Sequence, residues 1–145
     1  MNPLRRTLVA ALGFAIAKPL AALAAWNKEA FSAKTPSDAL KGLGIASAAP
    51  SKDLQIEAPE IAENGAVVPI EISSAIAGTS SLIVMIEKNP FPLTARFDFK
   101  EGALPFVKLN VKMGETSEVR VLAEAAGKHY FATQEIKVTI GGCGG

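Results

Sequence analysis

The chain has 145 residues, 49% of them apolar, which suits one domain with a real core plus an appendage and argues against disorder. Its 15 Lys and Arg against 14 Asp and Glu leave a net charge of +1, so there is no basic field for nucleic acid. One cysteine (Cys143) and one histidine (His129) cannot supply the four ligands of a Cys/His zinc site, and neither a metal nor another cofactor is expected.

Residues 1–24 have the three parts of a cleavable export signal: a basic start with Arg5 and Arg6, an apolar stretch from Thr7 to Ala17, and a small-residue end. Ala22-Leu23-Ala24 fits an A-x-A cleavage site, so the mature chain is expected to begin at or near Ala25. A membrane span needs about 20 apolar residues. This stretch is shorter, rich in alanine and interrupted by Lys18-Pro19, so no membrane anchor is expected after cleavage. Adjacent arginines, weak hydrophobicity and Lys18 near the cut resemble a twin-arginine signal, the route of proteins that fold before export. Leu8 stands where that pattern most often has Phe, and Leu4 where it often has Ser or Thr, which leaves the general secretory route as the alternative. Both routes lead to the periplasm.

Residues 25–50 read as a helical cover and linker. From Trp26 to Gly44 the pattern is helical, with Trp26, Ala30 and Phe31 on one face. Thr35-Pro36-Ser37-Asp38 has the form of an N-cap, a first-turn proline and an early acidic charge, while Gly42 and Gly44 supply stop signals. A small amphipathic cover over one end of a sheet is expected.

From Leu54 the period changes to two. Val68, Ile70 and Ile72 alternate with polar or turn residues, as do Val107, Leu109, Val111 and Met113, and later Ile136, Val138 and Ile140. Ser81 to Glu87 (SLIVMIE) is nearly all apolar, as in a strand covered on both sides, and is a candidate apolar interface for a partner. Leu93 to Phe99 and Glu118 to Glu124 add two more strands. Breaks at Glu63-Asn64-Gly65, Gly78-Thr79, Asn89-Pro90, Glu101-Gly102, Met113-Gly114 and Gly127-Lys128 space the strands as in an antiparallel sandwich. Residues 51–140 are therefore predicted to form an all-β, immunoglobulin-like sandwich of about seven strands. His129, before Tyr130-Phe131, reads as a partly exposed strand residue rather than a base, and Asp98, Glu101, Glu115 and Glu118 as solvated charges near turns. No Ser/His/Asp ordering and no glycine loop before a helix suggests a catalytic triad or a phosphate cradle, so no enzyme activity is expected.

Residues 141–145, Gly141-Gly142-Cys143-Gly144-Gly145, read as a thin mobile arm, because glycine visits both signs of φ and carries no side chain. A cysteine kept for packing would sit inside an element; this one is displayed. In an oxidising compartment it has no partner within its own chain, so it pairs with another molecule or serves as a reactive group. A lipoprotein cysteine would directly follow the signal, and a prenylation box needs three residues after the cysteine. No Lys, Arg, His or helix start adjoins Cys143 to activate it, which suits a plain thiol activated by the enzyme it enters.

The terminal GGCGG, the twin-arginine-like signal, the Trp26-centred start of the mature chain and the all-β body together resemble the SoxY family, sulfur carriers of periplasmic thiosulfate-oxidising systems. The resemblance covers essentially the whole chain, and the pentapeptide gives most of its specificity. It implies that Cys143 is where thiosulfate and its sulfane sulfur are covalently joined, with Gly141, Gly142, Gly144 and Gly145 forming the arm. It also implies a heterodimer with a second β-sandwich subunit, SoxZ, which lacks an export signal of its own. Higher oligomers through a Cys143 disulfide are compatible with it. Three transient partners follow from it: a haem-containing SoxAX that joins thiosulfate to the thiol, SoxB that hydrolyses the terminal sulfonate, and in some organisms a SoxCD sulfur dehydrogenase.

Two other readings stay open at this point. One is a structural immunoglobulin-like periplasmic protein linked into dimers through Cys143, which predicts constitutive covalent dimers and no sulfur adduct. The other uses Gly144-Gly145 as an activated carboxylate, as ubiquitin-like sulfur carriers do. That chemistry needs adenylation in the cytoplasm and a helix against a small sheet, neither of which this sequence favours. A thiol oxidoreductase lacks its C-x-x-C or resolving cysteine.

Overall fold

The computed structural model describes residues 26–139. Among the described residues two short helices come first. In α1 (Lys28–Ser32), Asn27 is the N-cap: its Oδ1 accepts from the Ala30 N–H at 3.0 Å, while its Nδ2 donates to the Gly42 carbonyl at 2.7 Å. In α2 (Pro36–Gly42), Thr35 Oγ1 accepts from the Asp38 N–H at 3.1 Å and Pro36 occupies the first turn, as the sequence predicts. Ala33 and Thr35 are extended between them, consistent with the clash that keeps the residue before proline out of the helical region. The helices touch backbone to backbone at Gly42, where a Cβ would lie 3.0 Å from the Ala30 Cα and N.

Nine strands follow: β1 (Ala49–Pro50), β2 (Leu54–Glu57), β3 (Ile61–Ala62), β4 (Val68–Ser74), β5 (Thr79–Ile86), β6 (Leu93–Asp98), β7 (Phe106–Val111), β8 (Ser117–Ala125) and β9 (Lys128–Val138). One sheet runs β1-β9-β8-β5-β6, with β3 also pairing with β9; the second runs β2-β4-β7. This is the predicted all-β, immunoglobulin-like sandwich, and its long strands pair antiparallel. The sequence reading placed His129-Tyr130-Phe131 and the Ile136-Val138 alternation separately; they are one strand of 11 residues. The two-residue strands β1 and β3 were not foreseen. Both pair with β9 in parallel, and between them the chain crosses to the other sheet as β2.

The alternating pattern sorts side chains as expected. Val68, Ile70 and Ile72 of β4 are fully buried against Leu82, Val84 and Ile86 of β5, Val119, Val121 and Ala123 of β8, and Ile136 of β9. Removing such a branched side chain from water is worth about 1.5–3 kcal/mol. The other face of β5 is buried as well. Ile83 and Met85, with Leu93 and Leu122, pack against Ala30, Ala39 and Ile45 of the helical segment.

This arrangement corrects two expectations. The helices lie on the outer face of the larger sheet rather than over one end, because Ile83 and Met85 make the middle of that face apolar. For the same reason the SLIVMIE run is not a docking surface: Leu82 to Ile86 are fully buried within this chain.

Candidate functional site

Of the residues singled out from sequence, Cys143, Gly141, Gly142, Gly144, Gly145, Arg5 and Arg6 lie outside the described residues. What the structure describes is the root from which the residues after Thr139 continue. β9 is held on both edges. Along one edge it pairs with β8 over nine register positions, from Ala125 opposite Lys128 to Ser117 opposite Ile136. Along the other, β1 pairs at Tyr130 and Phe131 and β3 pairs at Lys137 and Val138. Between these two contacts Gln134 Nε2 donates to the Ala58 carbonyl at 3.1 Å.

Hydrogen bonds continue to the last described residue. The Lys137 N–H donates to the Glu60 carbonyl at 2.9 Å and the Thr139 N–H to the Ala62 carbonyl at 3.1 Å. On the opposite side, the Val138 N–H donates to Thr116 Oγ1 at 2.9 Å, so a side chain extends the ladder past the end of β8. Gly65 closes the seat from above: its carbonyl accepts from the Met113 N–H at 2.7 Å. A Cβ on Gly65 would lie 2.4 Å from the Met113 carbonyl oxygen and 2.8 Å from Val138 Cγ1. Asn89 straps two further loops together at this end, donating to the Lys112 carbonyl at 2.8 Å and accepting from the Gly114 N–H at 3.3 Å. Sequence reasoning marked Glu63-Asn64-Gly65 only as a break. It gave no sign that the turn packs on the end of β9, since that contact spans more than 70 residues of chain.

His129 is half-buried on β9, opposite Glu124, as its strand reading anticipated. It sits beside an open hollow of about 640 Å³ lined by Gly44, Ala46 to Ala49 and Gly127 to Tyr130. Ten residues of strand separate it from Thr139, about 33 Å at 3.3 Å per residue. The sole imidazole is thus at the far end of the strand from the root. Asp98 is paired with Arg96 at 2.8 Å, Glu118 lies 3.6 Å from Arg120, and Glu101 and Glu115 are exposed. Arg120 also binds Glu87 at 2.7 Å. These carboxylates converge on no common centre, and among the described residues no group of three or more His, Cys, Asp or Glu is gathered for a metal ion. Among the described residues no helix is long and apolar enough to cross a membrane.

The comparisons with known proteins agree with this architecture. The family model "Sulfur oxidation protein SoxY" matches residues 41–143. The sulfur carrier protein SoxY from Chlorobium limicola f. thiosulfatophilum superimposes with a TM-score of 0.66 at 37% identity, covering 72% of this chain and 96% of that one. A superoxide reductase (neelaredoxin) from Ignicoccus hospitalis matches with a TM-score of 0.54 at 20% identity, over 72% of this chain and 93% of its own, which is a likeness of fold alone. No curated protein sequence matches the chain. With the family model spanning well over half its length and a 37% identical relative across 72% of it, the chain belongs to the SoxY family of sulfur oxidation proteins.

Proposed function

We propose that the chain is a covalent carrier of sulfur in periplasmic thiosulfate oxidation, with Cys143 as the attachment point and no catalytic role of its own. The observation that carries this reading is that the family match runs to residue 143 and so takes in the only cysteine of the sequence. The 37% identical relative is itself a sulfur carrier protein, which supports the same role.

The described root supports it physically. A carrier must offer its cargo at a defined place while leaving the chemistry to others. Here β9 is tied on both edges as far as Thr139, and four residues later comes the thiol. Those four residues span about 13 Å when extended, roughly 20 Å short of His129. The chain therefore brings no imidazole to the sulfur, and each partner supplies its own activating groups.

Loading joins the sulfane sulfur of thiosulfate to Cys143 Sγ. The S–H bond breaks, a cysteine S-thiosulfonate forms, and one proton and two electrons leave, the electrons being taken up by the haem-containing SoxAX-type enzyme. A SoxB-type hydrolase then adds water across the bond to the terminal sulfonate, releasing sulfate and leaving a persulfide on Cys143. Where a SoxCD-type dehydrogenase is present, the outer sulfur of the persulfide takes three oxygen atoms from water and gives six electrons to that enzyme and seven protons to solvent, and a second hydrolysis releases sulfate and restores the thiol. The folded body is expected to travel and act with a second β-sandwich subunit of the SoxZ type.

Intact-mass analysis of the carboxy-terminal peptide tests the reading. Incubation with thiosulfate and the loading enzyme is expected to add a thiosulfonate mass to Cys143, and hydrolysis to convert it to a persulfide mass. An adduct that persists in Cys143→Ser, or none in the native protein, would remove the proposal.

A further inference from the structure

We infer that Asn64-Gly65 is a site of spontaneous deamidation in the folded protein, and that its isoaspartyl product releases the turn that seats the end of β9. This holds whatever Cys143 carries. Asparagine is thermolabile because the main-chain nitrogen that follows it can attack its side-chain amide. Three things hold that attack back: bulk on the following residue, a hydrogen bond that occupies the nitrogen's proton, and a side chain turned away from the main chain. None of them protects Asn64. Gly65 carries no side chain, Asn64 is exposed, and among the described residues the Gly65 N–H donates to no acceptor.

The turn also folds the side chain toward the nucleophile. The Asn64 carbonyl accepts from the Val67 N–H at 3.3 Å, and its Oδ1 accepts from the Ala66 N–H at 2.9 Å. The second bond closes a ring that contains the Gly65 nitrogen, which keeps Cγ on the main-chain side. The same Ala66 N–H sits on the oxygen that becomes negative when Cγ is attacked, a donor placed as in an oxyanion hole. The other asparagines among the described residues are placed differently. Asn27 has both ends of its amide bonded, to the Ala30 N–H and the Gly42 carbonyl, and the Lys28 N–H after it donates to the Trp26 carbonyl. Asn89 precedes Pro90, which has no N–H to give up. Asn110 lies in β7 before the branched Val111.

The reaction needs no co-reactant but water. The Gly65 nitrogen gives its proton to hydroxide and bonds to Asn64 Cγ, the Cγ–Nδ2 bond breaks, and ammonia leaves with a proton from water, giving a cyclic imide. Water then opens the imide at Cγ to an aspartyl residue, or at the main-chain carbonyl carbon to an isoaspartyl residue, whose backbone runs through Cβ and Cγ. The second product inserts a carbon into a turn with no slack. The Gly65 carbonyl is held by the Met113 N–H at 2.7 Å, and a Cβ on Gly65 would already lie 2.8 Å from Val138 Cγ1.

The test incubates the whole purified protein, with reductant, across neutral to mildly alkaline pH. Peptide mass mapping follows the exchange of NH2 for OH at each asparagine, and enzymatic methylation scores isoaspartate. Asn64 is expected to convert at least about tenfold faster than Asn27 or Asn110, in proportion to hydroxide, and within about threefold of its rate in urea, since the turn keeps the reacting atoms close. The separated isoaspartyl protein is expected to exchange its Met113 and Val138 amide hydrogens at least about tenfold faster than the native protein. Asn64→Asp carries the charge without the extra carbon and should keep native exchange, while Asn64→Ser, which retains a turn-forming hydroxyl, should age without change. An Asn64 that converts in urea but stays an amide in the folded protein overturns the site, as does equal conversion at Asn27. Native exchange at Met113 and Val138 in the isoaspartyl form, or the same acceleration in Asn64→Asp, overturns the release of β9.

Discussion

Gly65 offers the sharpest test of how the root is built. An alanine Cβ there would stand 2.4 Å from the Met113 carbonyl oxygen, which is backbone and cannot swing aside, and 2.8 Å from Val138 Cγ1. Restoring an ordinary contact requires the Glu63 to Val67 turn to lift by about 1 Å, and overpacking of this kind costs about 1–3 kcal/mol. The lift also stretches the 2.7 Å bond from the Met113 N–H to the Gly65 carbonyl, worth about 1 kcal/mol more. Gly65→Ala should therefore destabilise the domain by about 3 kcal/mol. With an unfolding entropy of roughly 0.23 kcal/mol/K for a domain of about 110 residues, Tm falls by about 13 °C. The control is Gly114→Ala, at the same end of the molecule, where an added Cβ meets no atom within 4 Å. It should change stability by less than about 0.5 kcal/mol. Thermal and urea unfolding followed by circular dichroism, with reductant present so that Cys143 stays monomeric, measures both. A Gly65→Ala variant within about 0.5 kcal/mol of the native protein would refute the close packing of this turn on the end of β9.

Two further outcomes test other parts of the structure. Ile72→Ala opens the sandwich core and Met85→Ala opens the contact beneath the helices. Each should cost about 2–5 kcal/mol, but only Met85→Ala should speed limited proteolysis between α1 and α2 at Ala33 to Thr35. On the second sheet, the hydrogen bond and then the charge of Glu71 hold the Lys108 ammonium pKa above the ordinary lysine value, burial opposing slightly. A raised folded-state pKa means that the pair's contribution is fully present below the unfolded lysine pKa and is lost only as pH rises through the folded one, so it is flat across neutral pH. Glu71→Gln should move the Lys108 titration, followed by NMR of its side-chain resonances, downward; an unmoved titration would show that the pair does not persist in solution.

The features legible in the sequence are those written into local pattern. Val68, Ile70 and Ile72 announce a half-buried strand because alternate side chains face alternate sides, and Thr35-Pro36-Ser37-Asp38 announces a helix start because its hydrogen bond closes within four residues. The double burial of β5 was legible for the same reason, since an unbroken apolar run leaves no face for water. What was illegible depends on pairing at a distance. β3 is two residues long and has no period to read, yet it meets β9 across more than 70 residues. The sequence also could not say whether the helices or a partner covered the SLIVMIE run, because both would demand the same apolar surface. At the root, Thr116 and Gly65 carry no signal that separates them from any other turn residue; their importance is created by the end of β9 lying between them.

That seat bears on how a carrier of the proposed kind would exchange partners. Because β9 is fixed to Thr139, the thiol's reach from the body is bounded by only four residues, about 13 Å from Thr139. A partner resting there meets the sulfur at an effective concentration on the order of millimolar or more, whatever the bulk concentration of carrier. The docking contact then needs little affinity of its own. A broad apolar interface would release slowly and suit such a carrier less. A carrier visited by several enzymes in turn gains from weak docking and a short tether together. It follows that, for a carrier of the proposed kind, strengthening a partner enzyme's contact with the folded body should lower KM for loading yet slow turnover once hand-over to the hydrolase limits the rate.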